Sequence, residues 1–263
     1  MKISKYMYAS IIFFLTETLF LHIGLNDILK TGNIYSVLFG SLLSFIPIFF
    51  ILRIKPNRFI KILLVILLSI YFIYTLYLIK IYVQDKYLDA TPSFIIILMF
   101  LLPISYIKDI KTISKVSFIL FIITSITIIF SFINLCPSIE IDNFKPINPN
   151  ISNIIIGSIK YMFYFVSPSI MLIFIPKNEI SNKSIILFYI LSMIHILILF
   201  ILIIGIFGID LSINFTYPEY SLMKKINYFD FIQHIENIIA AEWLYSIFIS
   251  CVMSIYSIKK GIS

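Results

Sequence analysis

Charge is scarce in this sequence. Only 13% of the 263 residues are Asp, Glu, Lys or Arg, 60% are hydrophobic, and the mean hydropathy is +1.05. A soluble domain carries about 25% charged residues, so a water-soluble globule is excluded. Cysteine is nearly missing too. Cys136 and Cys251 are the only two; they are expected outside and within the last span, so no disulfide and no metal-ligand spacing is expected. The 7 glycines make no phosphate-binding loop, and no stretch is polar enough for a soluble domain. Work driven by the chain's own ATP hydrolysis is thereby excluded, and neither an enzymatic centre nor a cofactor is expected. The first apolar run lacks a small-residue cleavage site, so no cleavable signal peptide is expected. A net charge of +7 would suit nucleic acid if it clustered, but its distribution follows membrane orientation instead, and no nucleic-acid partner is expected.

What is present is a series of apolar runs long enough to cross a bilayer, which takes roughly 20 residues as a helix. About eight transmembrane helices are predicted, at Tyr6–Leu25, Ile34–Leu52, Phe59–Ile79, Thr91–Ile107, Ile113–Leu135, Ile151–Ile175, Ile185–Ile206 and Phe231–Ile255. The chain is therefore expected to be an all-α polytopic membrane protein. Thirteen bases (Lys2, Lys5, Arg53, Lys55, Arg58, Lys61, Lys108, Lys111, Lys115, Lys177, Lys183, Lys259 and Lys260) fall on one side of these spans and six on the other. The positive-inside rule places both termini in the cytoplasm. Lys224 and Lys225 belong to an amphipathic stretch, Tyr217–Tyr228, expected to lie along the membrane interface.

Two spans carry polar interruptions. In the sixth, Val166-Ser167-Pro168-Ser169 removes a backbone donor at bilayer depth, and serine hydroxyls can satisfy the carbonyls this frees. In the first, Glu17 sits between Thr16 and Thr18. A mid-membrane carboxylate costs about 2.5–3.5 kcal/mol on insertion scales. Glu17 is thus read either as a neutral acid bonding a neighbouring helix or as a group that meets a ligand ammonium or exchanges a proton. Interruptions at matching depth in two halves point to inverted repeats with a midplane site. Glu236 and Glu242, with Trp243 beside the latter, are candidates for the polar core around Glu17. Glu236 also reads as a solvated boundary residue, and His195 as a helix–helix hydrogen-bonding residue or a proton relay. Tyr71 and Tyr74 read as packing residues or as hydroxyls that reach a central cavity, and Lys160 as a base that snorkels outward.

The C-terminal half carries a family resemblance. Phe207-Gly208, Tyr217-Pro218-Glu219-Tyr220-Ser221-Leu222, Ile226-Asn227-Tyr228-Phe229-Asp230-Phe231, then Ile235-Glu236 and Trp243 resemble the B subunit of bacterial spore germinant receptors, with His234 where Arg is usual. Leu88-Asp89-Ala90-Thr91-Pro92 and Ile175-Pro176 are similar to further motifs of that family, in the same order. The family resembles amino-acid permeases of the amino acid–polyamine–organocation superfamily. That implies a transporter-like inverted-repeat fold with broken first and sixth helices, residues 1–135 forming the first five-helix repeat. Residues 151–255 then form an incomplete second repeat, shortened at the C-terminus, because ten spans are usual. Ser167 stands where the family has an acidic residue, and Glu17 is a candidate to supply that acid.

The resemblance implies a germinant-sensing subunit of the inner spore membrane. It would bind a small germinant, commonly an amino acid, among membrane lipids and beside A-type and lipoprotein C-type subunits. Thr16, Glu17, Thr18, Ser167, Pro168 and Ser169 are the expected lining of the site, with Tyr164 closing it. Two alternatives stay open: a proton-coupled amino-acid permease with Glu17 as the proton site, or a shortened membrane scaffold that transports nothing.

Overall fold

The computed structural model describes residues 4–30, 34–86, 92–106, 109–144, 150–226 and 236–262. All regular structure among them is helical. The helices are α1 (Lys5–Leu19), continued by a π-turn at Phe20–Gly24 and by α2 (Leu25–Leu29), then α3 (Ile34–Leu43), α4 (Phe45–Arg53), α5 (Arg58–Lys86), α6 (Ser93–Tyr106), α7 (Ile110–Leu135), α8 (Ile151–Val166), α9 (Asn182–Ser212), α10 (Pro218–Met223) and α11 (Glu236–Ile262). An eight-residue 3-10 segment, Ser167–Phe174, prolongs α8. Side chains mark the starts: Asp109 Oδ1 accepts from the Thr112 amide at 3.1 Å, and Ser181 Oγ from the Ser184 amide at 3.2 Å, satisfying amides that have no partner within the helix. Hydrogen bonding from Thr112 holds the Asp109 carboxyl below its usual range.

Among the described residues, 7 helical stretches are long and apolar enough to cross a membrane; the chain is a multi-pass, all-α membrane protein. The predicted fourth span, Thr91–Ile107, is described only in part. There α6 has 14 residues, about 21 Å at 1.5 Å per residue against about 30 Å of hydrocarbon. The last helix, described from Glu236, runs on to Ile262, past the predicted end of the last span at Ile255. Outward faces are apolar stripes at three- and four-residue spacing: Ile62, Ile66, Ile70 and Ile73 on α5, and Ile122, Ile126, Ile129 and Ile133 on α7. The inward face of α7 carries the buried hydroxyls Ser114, Ser117, Thr124 and Ser131. Lipid is as apolar as leucine, so helices associate here through close packing and interhelical hydrogen bonds.

The first helix is the core. Every residue from Met7 to Leu21 is buried. Close approach is clearest between α3 and α8, where Ser36 Oγ donates to the Asn153 carbonyl at 3.4 Å and Ser158 Oγ to the Ser36 carbonyl at 3.3 Å. A Cβ on Gly40 would lie 2.6 Å from Tyr161 Cβ. Bases gather at one end of the bundle. Ser184 Oγ reaches the Lys5 carbonyl, Lys177 Nζ the Leu52 carbonyl, and Gly261 lies against Val65 and Phe174.

Two connections fold into the protein. In the stretch after α9, Pro218, Leu222 and Met223 of α10 are buried, and among its described residues Lys224 and Lys225 are exposed. The loop after α7 folds back into a kink of α9. At Gly208 the backbone leaves the helix with φ 71° and ψ 167°. The Gly205 carbonyl then accepts from the Glu140 amide at 2.9 Å and from Asn143 Nδ2 at 2.9 Å. Only glycine tolerates that conformation at low cost, and a side chain there costs about 1–3 kcal/mol. Gly208→Ala is expected to destabilise the detergent-solubilised protein by about that amount, read from its thermal unfolding curve.

Candidate functional site

Glu17 lies midway between Lys5 and Leu29, the limits of the first span. The helix does not unwind at Thr16-Glu17-Thr18 as expected. It stays α-helical to Leu19, and the irregularity comes a turn later as the π-turn. The threonines keep the local ladder intact: Thr16 Oγ1 donates to the Ile12 or Phe13 carbonyl at 2.9 Å, and Thr18 Oγ1 to the Phe14 carbonyl at 2.7 Å.

Successive helical residues point about 100° apart, and between them these three reach partners on two helices. Thr16 Oγ1 meets Ser192 Oγ on α9 at 2.7 Å, and Thr18 Oγ1 meets Ser250 Oγ on α11 at 2.6 Å. Glu17 Oε1 meets His195 Nδ1 on α9 at 2.6 Å and accepts more weakly from Ser192 Oγ at 3.4 Å. Phe13 stacks on the imidazole, with centroids 5.8 Å apart and planes 11° apart. Glu242 of α11 completes the group: one ligand atom from each of Glu17, His195 and Glu242 lies within 4.8 Å of the others.

A second locus surrounds the break in the sixth span. There the chain tightens into the 3-10 segment that begins at Ser167. Runs beyond three or four residues of 3-10 are uncommon and often mark a functional hinge or strain. Pro168 has no amide hydrogen, so the carbonyl one turn earlier loses its helical donor. Beside the break lies a cavity of about 510 Å³, lined in part by Leu19, Tyr71, Tyr74, Tyr164, Ser167 and Pro168. Ser167 Oγ is buried and makes no hydrogen bond, and Tyr71 Oη is buried beside the Thr18 and Ser250 hydroxyls. At its edge Tyr164 Oη donates to Asp27 Oδ2 at 2.8 Å, and Lys160 Nζ pairs with the same oxygen at 3.4 Å. Gly24 in the π-turn permits this approach, since a Cβ there would stand 3.0 Å from Tyr164 Cβ.

The anticipated residues thus divide. Tyr164, Ser167 and Pro168 border the cavity; Thr16, Glu17 and Thr18 are not in its lining and engage α9 and α11. Ser169 is fully buried with an unbonded hydroxyl, outside that lining. Glu242 joins Glu17. Glu236 opens the described part of α11, and its side chain lies outside the described residues, as do His234 and the motif residues at 88–91 and 227–235. Sequence reasoning missed Ser192 and Asp27. Ser192 is three residues before His195, on the same helical face, a spacing that could have flagged it. Asp27 looked like a loop acid, and nothing local pairs it with Lys160.

No curated protein and no solved structure matches the chain. A family model described as spore germination protein matches residues 47–263, which takes in Tyr164, Ser167, Pro168, His195, Glu236 and Glu242 and leaves Thr16, Glu17 and Thr18 outside. The match covers most of the chain and, with the bundle of membrane-spanning helices, makes this a germination-related, permease-like membrane protein: the chain belongs to the spore germination protein family.

Proposed function

We propose that this protein is a germinant-sensing subunit that holds a small apolar amino acid in the cavity beside the sixth-span break. The observation that carries the reading is the juxtaposition of two buried hydroxyls, the unbonded Ser167 and Tyr71, with about 510 Å³ of otherwise largely apolar space. That volume falls within the range of ligand pockets, about 300–1,000 Å³, and a few placed polar groups in an apolar wall suit a ligand with an apolar side chain. The carbonyl freed by Pro168 would take the ligand's ammonium, and the Lys160–Asp27 pair at the edge offers one charge of each sign to a zwitterion. The base-rich end of the bundle faces the cytoplasm by the positive-inside rule. The inner spore membrane, with A-type and lipoprotein C-type subunits alongside, is the setting this reading implies.

The test is ligand binding by purified protein in nanodiscs. An apolar L-amino acid should raise the unfolding temperature in proportion to its occupancy of the folded state. Tyr71→Phe should weaken binding about 5- to 10-fold, the worth of one neutral hydrogen bond, and Ser167→Leu should abolish it by filling the cavity. Unchanged affinity in both variants would move the ligand elsewhere.

A second reading, proton-coupled amino-acid uptake, is favoured by the buried Glu17–His195 contact. It predicts concentrative uptake into proteoliposomes that depends on pH and is lost in Glu17→Gln. Absence of uptake at either of two pH values leaves sensing.

A further inference from the structure

We propose that Glu17, His195 and Glu242 form a binding site for a divalent transition-metal cation of the zinc class, tying α1 to α9 and α11. Their ligand atoms already lie within 4.8 Å of one another, and the three residues are 0%, 3% and 4% exposed. Glu17 Oε2 is buried without any hydrogen bond, and the buried Glu242 carboxylate has the Thr124 hydroxyl of α7 beside it. Buried acceptors of this kind are costly unless something binds them.

Charge and donor type say what that something is. Two carboxylates this close repel one another, and a low-dielectric interior magnifies the repulsion. A divalent cation with two carboxylates and a neutral imidazole sums to zero charge, the condition a buried cluster at mid-membrane best tolerates. Carboxylates alone would suit Mg²⁺ or Ca²⁺; an imidazole in the set shifts preference to zinc and its neighbours. Three protein ligands with a fourth position open is a common zinc arrangement.

The geometry needs little change. Tetrahedral zinc with bonds near 2.0–2.1 Å sets its ligand atoms roughly 3.3 Å apart. The 2.6 Å Glu17–His195 contact must open by about 0.7 Å to match that spacing, while the widest separation closes. Supports for the ligands are already in place: Ser192 Oγ holds the Glu17 carboxylate and Phe13 fixes the imidazole plane. Zinc bound here is independent of any ligand in the cavity beside Ser167.

The full chain in nanodiscs is stripped with chelator, incubated with Zn²⁺, freed of excess ion and assayed for bound metal. One Zn²⁺ per chain should remain. His195→Ala and Glu242→Gln should each weaken retention at least about tenfold, whereas Asp210→Asn, altering an exposed acid outside the cluster, should not. X-ray absorption of zinc-loaded wild type should show an imidazole nitrogen in the inner shell, a result independent of whether any variant folds. No retained zinc, equal retention by wild type and both cluster variants, or an all-oxygen shell would each overturn the proposal.

Discussion

Gly40→Leu is expected to prevent stable packing of α3 on α8. The first atom of any side chain at this position would stand 2.6 Å from Tyr161 Cβ and 3.0 Å from the Ser158 carbonyl oxygen. Both lie on or next to the backbone, so rotamer changes cannot relieve the contact and the helices must part. Forced overpacking costs about 1–3 kcal/mol for ordinary core insertions, and a contact with main chain belongs at or above the top of that range. Parting would also break the Ser36 and Ser158 hydrogen bonds. Interhelical hydrogen bonds in membranes average only about 0.6 kcal/mol, so the steric term decides the outcome. Size-exclusion chromatography and thermal unfolding of the solubilised variant check it. Gly40→Ala should be milder but measurable, and a wild-type profile for Gly40→Leu would sink the argument.

Glu17→Ala is the second large effect. It removes the 2.6 Å partner of an imidazole that is 3% exposed. Leaving one member of a buried hydrogen-bonded pair without its partner costs about 1–3 kcal/mol, the desolvation of the survivor. Glu17→Gln keeps a polar group at hydrogen-bond distance and should recover most of the loss. Combining Glu17→Ala with His195→Leu should cost less than the sum of the single changes, because no orphan remains. Additive losses would mean that the two side chains do not interact.

Much of the fold was legible in the sequence, because membranes enforce local rules. Apolar runs gave the spans, and Ser167-Pro168 announced its own break, since the missing amide is a property of one residue. The first-helix irregularity was placed a turn too early. A π-turn carries no composition signal, and Thr16 and Thr18 look alike whether they cap an unwound turn or bond back to their own helix. The partners of Glu17 were hidden for another reason. His195 lies 178 positions away, and which helix meets which is a tertiary fact. Tyr71 and Tyr74 read as packing residues or as cavity hydroxyls because an apolar or aromatic residue in a span gives no sign of whether it meets lipid, core or cavity. The metal-ligand spacing sought along the chain was absent for the same reason: the Glu, His and Glu converge from three helices.

The three-way grip on α1 has a mechanical consequence. Thr16, Glu17 and Thr18 are fastened to α9 and α11 around much of the helix circumference, so α1 cannot spin on its axis without releasing all three at once. Its lower portion travels with α9 and α11 as one body. Beyond the π-turn, Asp27 is fastened to Tyr164 and Lys160 of α8, while Asn26 Nδ2 donates to the Thr216 carbonyl in the stretch after α9 at 2.7 Å. Phe20–Gly24 is therefore the joint between a stretch of the first span bonded to α9 and α11 and a stretch bonded to α8 as well.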